Sequence, residues 1–153
     1  MPLTPLYPLT FTPVEFIFPT GESFKHYDMK WVDYEKMSVA VVSDPKIQKT
    51  LRQQTMRVFK ELGGNGYARC DYRMDASGTI YMLEINPNCG IFYPPHEPGS
   101  ADFSLLNDPT NHTKFMQLII RNAKNRQACA AAERVVKRQP RKRAIEIEQM
   151  AYS

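Results

Sequence analysis

Three side chains that could bind a divalent cation, Asp71, Glu84 and Asn86, lie in a segment patterned as a β-hairpin. From Tyr67 to Asp75, charged residues alternate with apolar or aromatic ones, as in a half-buried strand. A second alternating run follows the turn dipeptide Ser77-Gly78. It is predicted to carry four residues on one face: Ile80, Met82, Glu84 and Asn86. The pattern therefore predicts two antiparallel strands that position the oxygen-bearing side chains.

The strand register decides whether these side chains meet, because a slip of one residue turns each of them to the opposite face. A two- or four-residue loop centred on the turn dipeptide places Asp71 opposite Glu84 and Arg69 opposite Asn86. The two carboxylates would then lie about 5 Å apart at Cβ, which is destabilising unless a positive charge neutralises them.

Two interpretations of this carboxylate pair are open from the residues alone. Two carboxylates and an amide oxygen suit magnesium, which uses few protein ligands and retains water or substrate phosphate. Alternatively, Arg69 and Arg73 screen Asp71 in a ladder of surface charges. The alternation by itself does not separate a metal site from a structural ion pair.

The stretch from Ala68 to Gly90, with Ala-Arg-Cys-Asp in one strand and Leu-Glu-Ile-Asn in the other, resembles the last part of the ATP-grasp fold. It is most similar to D-alanine:D-alanine ligases. The resemblance implies that Asp71, Glu84 and Asn86 bind Mg²⁺ or Mn²⁺ bridging the phosphates of ATP.

The same resemblance implies roles for three further residues. Arg69 would contact an acyl-phosphate intermediate, and the Gly90 amide would bind the oxyanion formed when the second substrate attacks. Lys30, in the segment 24–31, matches a family lysine that reaches toward the phosphates. The resemblance covers residues 13 to 127.

The implied activity is an ATP- and Mg-dependent carboxylate-amine ligase acting through an acyl phosphate. Such chemistry depends on positioning and charge neutralisation and requires no nucleophilic side chain. The sequence has no Gly-x-Ser-x-Gly elbow, no His-Glu-x-x-His and no Cys-x-x-Cys spacing. His26, His96 and His112 are expected to be polar surface residues, with His96 the one nearest a substrate, and Cys89 has no neighbouring base to activate it.

The part of the ATP-grasp fold that this sequence resembles does not include the glycine-rich phosphate loop, the adenine-binding hinge or the amino-terminal domain of complete ligases. This favours an alternative function, a non-catalytic or partner-dependent nucleotide- or metal-binding module whose missing half is on another chain. The family's serine for the second D-alanine falls on Pro94-Pro95, so the resemblance does not extend to D-alanine as the substrate.

The predicted fold class is α+β, an antiparallel sheet with flanking helices forming the C-terminal half of an ATP-grasp domain. Strands are expected at 14–18 and 37–42, and a helix that begins at Pro45 and ends at the glycines of 63–66. Residues 91–100 are predicted to form a loop. A second helix should follow Asn111 and be interrupted at Pro140. The expected domains are a proline-rich leader (1–12), the ATP-grasp subdomain (13–127) and a basic helical or mobile tail (128–153).

Composition indicates a protein of the cytoplasm. The net charge is +4, but residues 137–143 contribute five of the 20 Lys and Arg residues. The basic character therefore belongs to the tail, and nucleic-acid binding is not expected. Three cysteines without framework spacing indicate a reducing compartment. No apolar run approaches the roughly 20 residues that span a bilayer.

Overall fold

A computed structural model describes residues 7–32 and 34–151, and side chains except those of 30, 31, 34 and 135–151. Its strands are β1 (Val14–Ile17), β2 (Ser38–Val41), β3 (Arg69–Met74) and β4 (Ile80–Asn86). Its helices are α1 (Tyr27–Trp31), a 3₁₀ turn (Tyr34–Lys36), α2 (Pro45–Glu61), α3 (Ser100–Leu106) and α4 (Asn111–Ala151). The predicted α+β class is confirmed.

The strands form two separate antiparallel pairs, β1 with β2 and β3 with β4. In the first pair, Val14 lies opposite Val41 and Ile17 opposite Ser38. Both strands lie within their predicted limits. The second pair is the predicted hairpin.

The β3–β4 hairpin turns through three residues rather than two or four. The Gly78 N–H donates to the Asp75 carbonyl at 3.0 Å, and the Asp75 N–H donates to the Thr79 carbonyl at 3.0 Å. Gly78 has φ +85°, in the left-handed region that glycine adopts without steric cost. Such a turn shifts the pairing by one residue from the predicted register.

A β-bulge at Leu83 restores the register beyond it, since Tyr72 pairs with Met82 while Asp71 pairs with Glu84. The prediction that Ile80 and Met82 share a face with Glu84 was therefore wrong. An extra residue in one strand reverses the alternation, so both apolar side chains lie on the face of Tyr72.

Helix α2 begins and ends where the sequence predicts. The Asp44 carboxylate accepts from the Lys46 N–H at 2.7 Å, which caps the first turn. After Glu61 the chain reverses through Gly63, whose φ is +66°. The Thr55 and Tyr72 hydroxyls are 2.9 Å apart and join this helix to β3.

An apolar core lies beneath the segments that follow the hairpin. Its buried members are Met29, Val42, Cys89, Leu105 and Phe115. The Phe115 ring packs against the rings of Phe11, Tyr67 and Phe92, with centroids 5.4–5.9 Å apart. Loop 91–99 is therefore anchored by its Phe92 side chain.

Two helical features differ from the predictions. Helix α3 was not predicted, because seven residues are too few for a clear apolar period. The interruption at Pro140 was wrong, since α4 continues to Ala151. Proline fixes φ near the helical value and removes one hydrogen bond, a cost that can be absorbed without ending a helix.

The chain divides into two compact units, one spanning Tyr7–Phe115 and the other containing residues 116–151. The predicted boundary at residues 127 and 128 stays a prediction, and residues 1–6 of the expected leader lie outside the described part. None of the described helices is both long and apolar enough to cross a membrane.

Candidate phosphate and metal site

The hairpin brings the predicted site residues together on one face. Asp71 lies opposite Glu84, and Arg69 lies opposite Asn86, as the sequence predicted. The opposite face carries the apolar side chains that pack beneath the sheet. The Glu84 side chain is 57% exposed and that of Asp71 34% exposed, so a soluble ligand can reach both carboxylates.

Arg69 is the positive charge that neutralises this pair within the chain. Its Nε donates to Asp71 Oδ1 at 2.6 Å and its Nη2 donates to Asp71 Oδ2 at 2.7 Å, a two-point contact. Nη2 also lies 3.5 Å from Glu84 Oε1. Hydrogen bonding to the Asp71 carboxylate raises the pKa of Arg69, and burial opposes this rise. Arg69 therefore remains charged between the two carboxylates.

Arg73 does not take part in this pair, although one interpretation of the sequence assigned it a screening role. Its guanidinium donates to the Ser23 carbonyl and lies 5.8 Å from the centre of the Phe18 ring. Of the two arginines, Arg69 is thus the one that pairs with Asp71.

Gly90 and Arg69 both form hydrogen bonds with the first residues of helix α3. Arg69 Nη1 donates to the Ser100 hydroxyl, and the Gly90 carbonyl accepts from the Ala101 N–H at 3.3 Å. A Cβ added to Gly90 would be 3.0 Å from Tyr93 Cε2, so the Tyr93 ring covers this glycine. The first turn of α3 therefore positions Arg69 and Gly90 together.

Two predicted residues are less completely defined. The Asn86 Oδ1 accepts from the Asn88 N–H at 2.9 Å, which orients the amide at the end of β4 and leaves the oxygen's second lone pair for a ligand. The backbone of Lys30 lies in α1. Its side chain, assigned to phosphate, lies outside the described residues.

The chemistry of the donor set fits a hard cation. Asp71 and Glu84 supply carboxylate oxygens and Asn86 an amide oxygen on one accessible face, which are ligands that magnesium prefers. Within the described part of the chain, no three His, Cys, Asp or Glu side chains converge. Magnesium held by few protein ligands keeps open positions for water or phosphate.

Sequence reasoning missed Asp102, which is only 1% exposed. Its Oδ1 accepts from the Phe92 N–H at 2.9 Å and from His112 Nε2 at 2.7 Å. Its Oδ2 accepts from the N–H groups of Tyr93 and Gly99 at 3.1 and 3.0 Å. This carboxylate ties loop 91–99 to the start of α4.

The surroundings of Asp102 keep it ionised. Burial by itself would raise its pKa, but the hydrogen bond from His112 and those from the three backbone N–H groups together hold the pKa below its ordinary value. His112, with a side chain 30% exposed, is thus the partner of a buried carboxylate and not the simple surface residue that was expected. Neither the spacing nor the charge pattern of the sequence signals this pair.

Cys89 is buried beside the site, and burial raises the pKa of its thiol, partly opposed by the charge of Arg69. A thiol protonated at neutral pH is a poor nucleophile. This agrees with the expectation that Cys89 plays no covalent part.

Comparison with known proteins identifies the region to which this site belongs. The family described as D-ala D-ala ligase C-terminus matches residues 8–96. A D-alanine--D-alanine ligase of Burkholderia ambifaria is 33% identical over 94 residues, covering 61% of this chain and 27% of that protein. The ligase of Streptococcus agalactiae is 31% identical over 69 residues, or 44% of this chain and 20% of that protein.

A third relative extends slightly further along this chain. The D-alanine--D-alanine ligase of Halothermothrix orenii is 28% identical over 101 residues, covering 65% of this chain and 29% of that protein. The chain thus spans less than a third of the length of these relatives. No solved structure matches it. Because the matched residues 8–96 are more than half of the 153, the chain belongs to the D-ala D-ala ligase C-terminus family, the carboxyl-terminal ATP-grasp region of these ligases.

Proposed function

We propose that this chain is the metal- and phosphate-binding part of an ATP-dependent ligase that joins a carboxylate to an amine. The observation that carries the proposal is the opposed pair Asp71 and Glu84, on one accessible face with Asn86. Like charges directly opposite each other on two strands are destabilising unless an opposite charge neutralises them. The cytoplasm, where ATP and magnesium are abundant, is the proposed location.

Each residue of the site has a role in the proposed reaction. Asp71, Glu84 and Asn86 would hold Mg²⁺ or Mn²⁺, which when bound neutralises phosphate charge. Arg69 stabilises negative charge on the phosphorylated intermediate, and the Gly90 N–H stabilises the oxyanion. Lys30 is proposed to contact phosphate.

The proposed reaction has two steps. A substrate carboxylate oxygen attacks the γ-phosphorus of ATP, forming an acyl phosphate and releasing ADP. The amine nitrogen then attacks the acyl carbon and loses a proton, the carbonyl electrons move to the oxygen, and the C–O bond to phosphate breaks as the carbonyl re-forms. The product is an amide with inorganic phosphate, so no side chain becomes covalently modified.

Glu84→Gln tests the metal assignment directly. Removing one of two ligand charges should weaken Mn²⁺ binding at least about tenfold, or about 1.4 kcal/mol. The measurement is Mn²⁺ titration by electron paramagnetic resonance, with and without ATP. The fold should persist, because Glu84 is 57% exposed and its contact with Arg69 is 3.5 Å long.

Glu61→Gln is the matched control. Glu61 is 61% exposed and pairs with Arg57 at 2.8 Å, so it is an acidic residue of similar exposure away from the site. Equal Mn²⁺ affinity in wild type and Glu84→Gln would refute the metal assignment. Equal losses in both variants would mean that the ion binds to general surface charge.

A second candidate function is a non-catalytic or partner-dependent module, and the Arg69–Asp71 pair favours it. That pair already neutralises one carboxylate through two short contacts, so a cation must compete with an internal partner. Mn²⁺ binding that appears only after a complementary chain is added would support this candidate. Binding by this chain alone would support a retained site.

A further inference from the structure

The connection between helix α2 and strand β3 contains an Asn-Gly pair, Asn65-Gly66. Of the asparagines in the sequence, Asn65 is the one that is followed by glycine. Asparagine is chemically labile, because its side-chain amide lies within reach of the main-chain nitrogen of the next residue. Glycine has no Cβ and leaves that nitrogen unobstructed. The pair is therefore a candidate site of covalent change.

The structure leaves this pair accessible. Asn65 is exposed, and both residues lie between α2 and β3, outside either element. Gly66 has φ +96°, and a Cβ built on it would have no atom within 4 Å beyond its chain neighbours. Within the described residues, the Gly66 N–H donates to no backbone carbonyl. The attacking nitrogen is thus restrained neither by secondary structure nor by close packing.

The other asparagines lack this combination of features. Asn86 precedes Pro87, which has no N–H with which to attack. Asn88 is exposed, but the buried Cys89 follows it. The remaining asparagines lie in or at the ends of helices α3 and α4, where the helix fixes the main chain: Asn107, Asn111, Asn122 and Asn125. Asn88 is therefore the matched comparison for Asn65.

Defined contacts lie on both sides of the pair. The Gly64 N–H donates to the Phe59 carbonyl of α2 at 2.7 Å. The Tyr67 ring packs edge-on against the Phe115 ring, with centroids 5.4 Å apart. Only the pair itself separates Gly64 from Tyr67, so any change in the length of the main chain at Asn65 acts on these contacts.

From these observations we propose that Asn65 is a site of spontaneous deamidation. The Gly66 nitrogen forms a bond to Asn65 Cγ and gives up its proton, while the Cγ–Nδ2 bond breaks and the side-chain nitrogen leaves as ammonia. Water then opens the resulting succinimide ring. Opening at Cγ gives aspartate, and opening at the main-chain carbonyl gives isoaspartate, whose main chain runs through Cβ and Cγ. Water is the co-reactant, and nothing is oxidised or reduced.

The two products differ in their effect on the fold. Aspartate adds a charge and leaves the main chain unchanged. Isoaspartate adds one atom to the main chain and displaces Tyr67 from Phe115, shortly before β3 begins at Arg69. The protein therefore changes with age next to the strand that carries Arg69 and Asp71. This inference does not depend on the proposed ligase function.

The test is incubation of the whole folded chain for several weeks in neutral and mildly alkaline buffer, followed by tryptic digestion and tandem mass spectrometry. Trypsin cleaves after Lys60 and Arg69, so the peptide 61–69 contains the site. Aspartate and isoaspartate should form at least about tenfold faster at Asn65 than at Asn88, because glycine leaves the nitrogen unobstructed. The rate should rise about tenfold per pH unit, because the weakly acidic nitrogen must lose its proton to attack.

A synthetic peptide of residues 61–69 shows whether the fold protects the pair. The folded chain should react within about tenfold of the rate of this peptide, because Gly66 is unobstructed in the structure. Reaction of the peptide without reaction of the folded chain would overturn the proposal, and so would equal rates at Asn65 and Asn88.

Two variants test the succinimide route. Gly66→Ala keeps the asparagine and should slow the reaction at least about tenfold. Asn65→Gln needs a larger ring and should be slowed at least as much. It retains Gly66, so it provides the same readout if alanine at φ +96° prevents folding. Unchanged rates in the folded variants would overturn the route.

The displacement of Tyr67 has its own control. The isoaspartate form, purified by chromatography, is compared with Asn65→Asp, which carries the added charge on a main chain of normal length. Nuclear magnetic resonance of the Tyr67 and Phe115 rings should show ring-current shifts that are reduced in the isoaspartate form and retained in Asn65→Asp. Identical spectra of the two forms would refute the displacement.

Discussion

Asp102→Asn should destabilise the Tyr7–Phe115 unit strongly, because one amide cannot replace a carboxylate that accepts four hydrogen bonds. If the new NH₂ group faces His112, that ring can change tautomer and accept. The Phe92 N–H then has no acceptor, and the bonds from Tyr93 and Gly99 lose their charge assistance.

The magnitude follows from these losses. An unpaired buried N–H costs about 1–3 kcal/mol, and a neutral acceptor is about half as strong as a charged one. The sum is about 3–5 kcal/mol, against a total of about 5–15 kcal/mol for an ordinary domain. Urea unfolding followed by circular dichroism should show the midpoint lowered by about 2 M, taking a slope of about 2 kcal/mol per M.

Asp75→Asn is the matched control. Asp75 also accepts four hydrogen bonds, three at Oδ1 from Ser77 and Thr79 and one at Oδ2 from Tyr81, but it lies in an exposed turn where water can replace them. The control should shift the midpoint far less. Equal shifts in the two variants, or a loss below about 1 kcal/mol in Asp102→Asn, would refute the argument that burial determines the cost.

The Asp102 carboxylate also predicts how the free energy of unfolding depends on pH. Its pKa is lowered in the folded state, so between the folded value and the unfolded value of about 3.9 the unfolded chain binds more protons. The stabilisation is complete above the unfolded pKa and is lost as the pH falls through the folded one. Asp102→Asn should therefore show a smaller loss of stability on acidification than wild type.

Two further predictions concern the hairpin. Gly78→Ala should cost about 1–2 kcal/mol in the same urea assay, because alanine is strained at φ +85°, and an unchanged midpoint would contradict the three-residue turn. Deleting Leu83 removes the bulge but keeps Asp71 opposite Glu84, so Mn²⁺ affinity should stay within about threefold of wild type; loss of binding with a folded chain would show that the bulge itself shapes the site.

Much of the proposed metal-binding face could be predicted because it depends on a period of two residues. Alternation predicted which side chains of β3 share a face, and a loop centred on the turn dipeptide predicted Asp71 opposite Glu84, where the structure has it. The turn and the strand pairing that produce this register differ from the predicted ones. A three-residue turn and the Leu83 bulge shift the register in opposite directions, and local propensity does not reveal either shift.

The sequence by itself determined the alternation along β3, the limits of β1 and β2 and the capped helix α2, since each depends on neighbours a few residues apart. The opposition of Asp71 and Glu84 also required the three-residue turn and the Leu83 bulge. Only the tertiary structure decided that Arg69 pairs with Asp71 and that Asp102 is buried against His112. These contacts depend on how an irregular loop and two helix starts pack around a core. Three backbone N–H groups bind Asp102 whatever their side chains are, so no residue pattern in the sequence records its burial. The Arg69–Asp71 pair was one of two interpretations that the alternation left open.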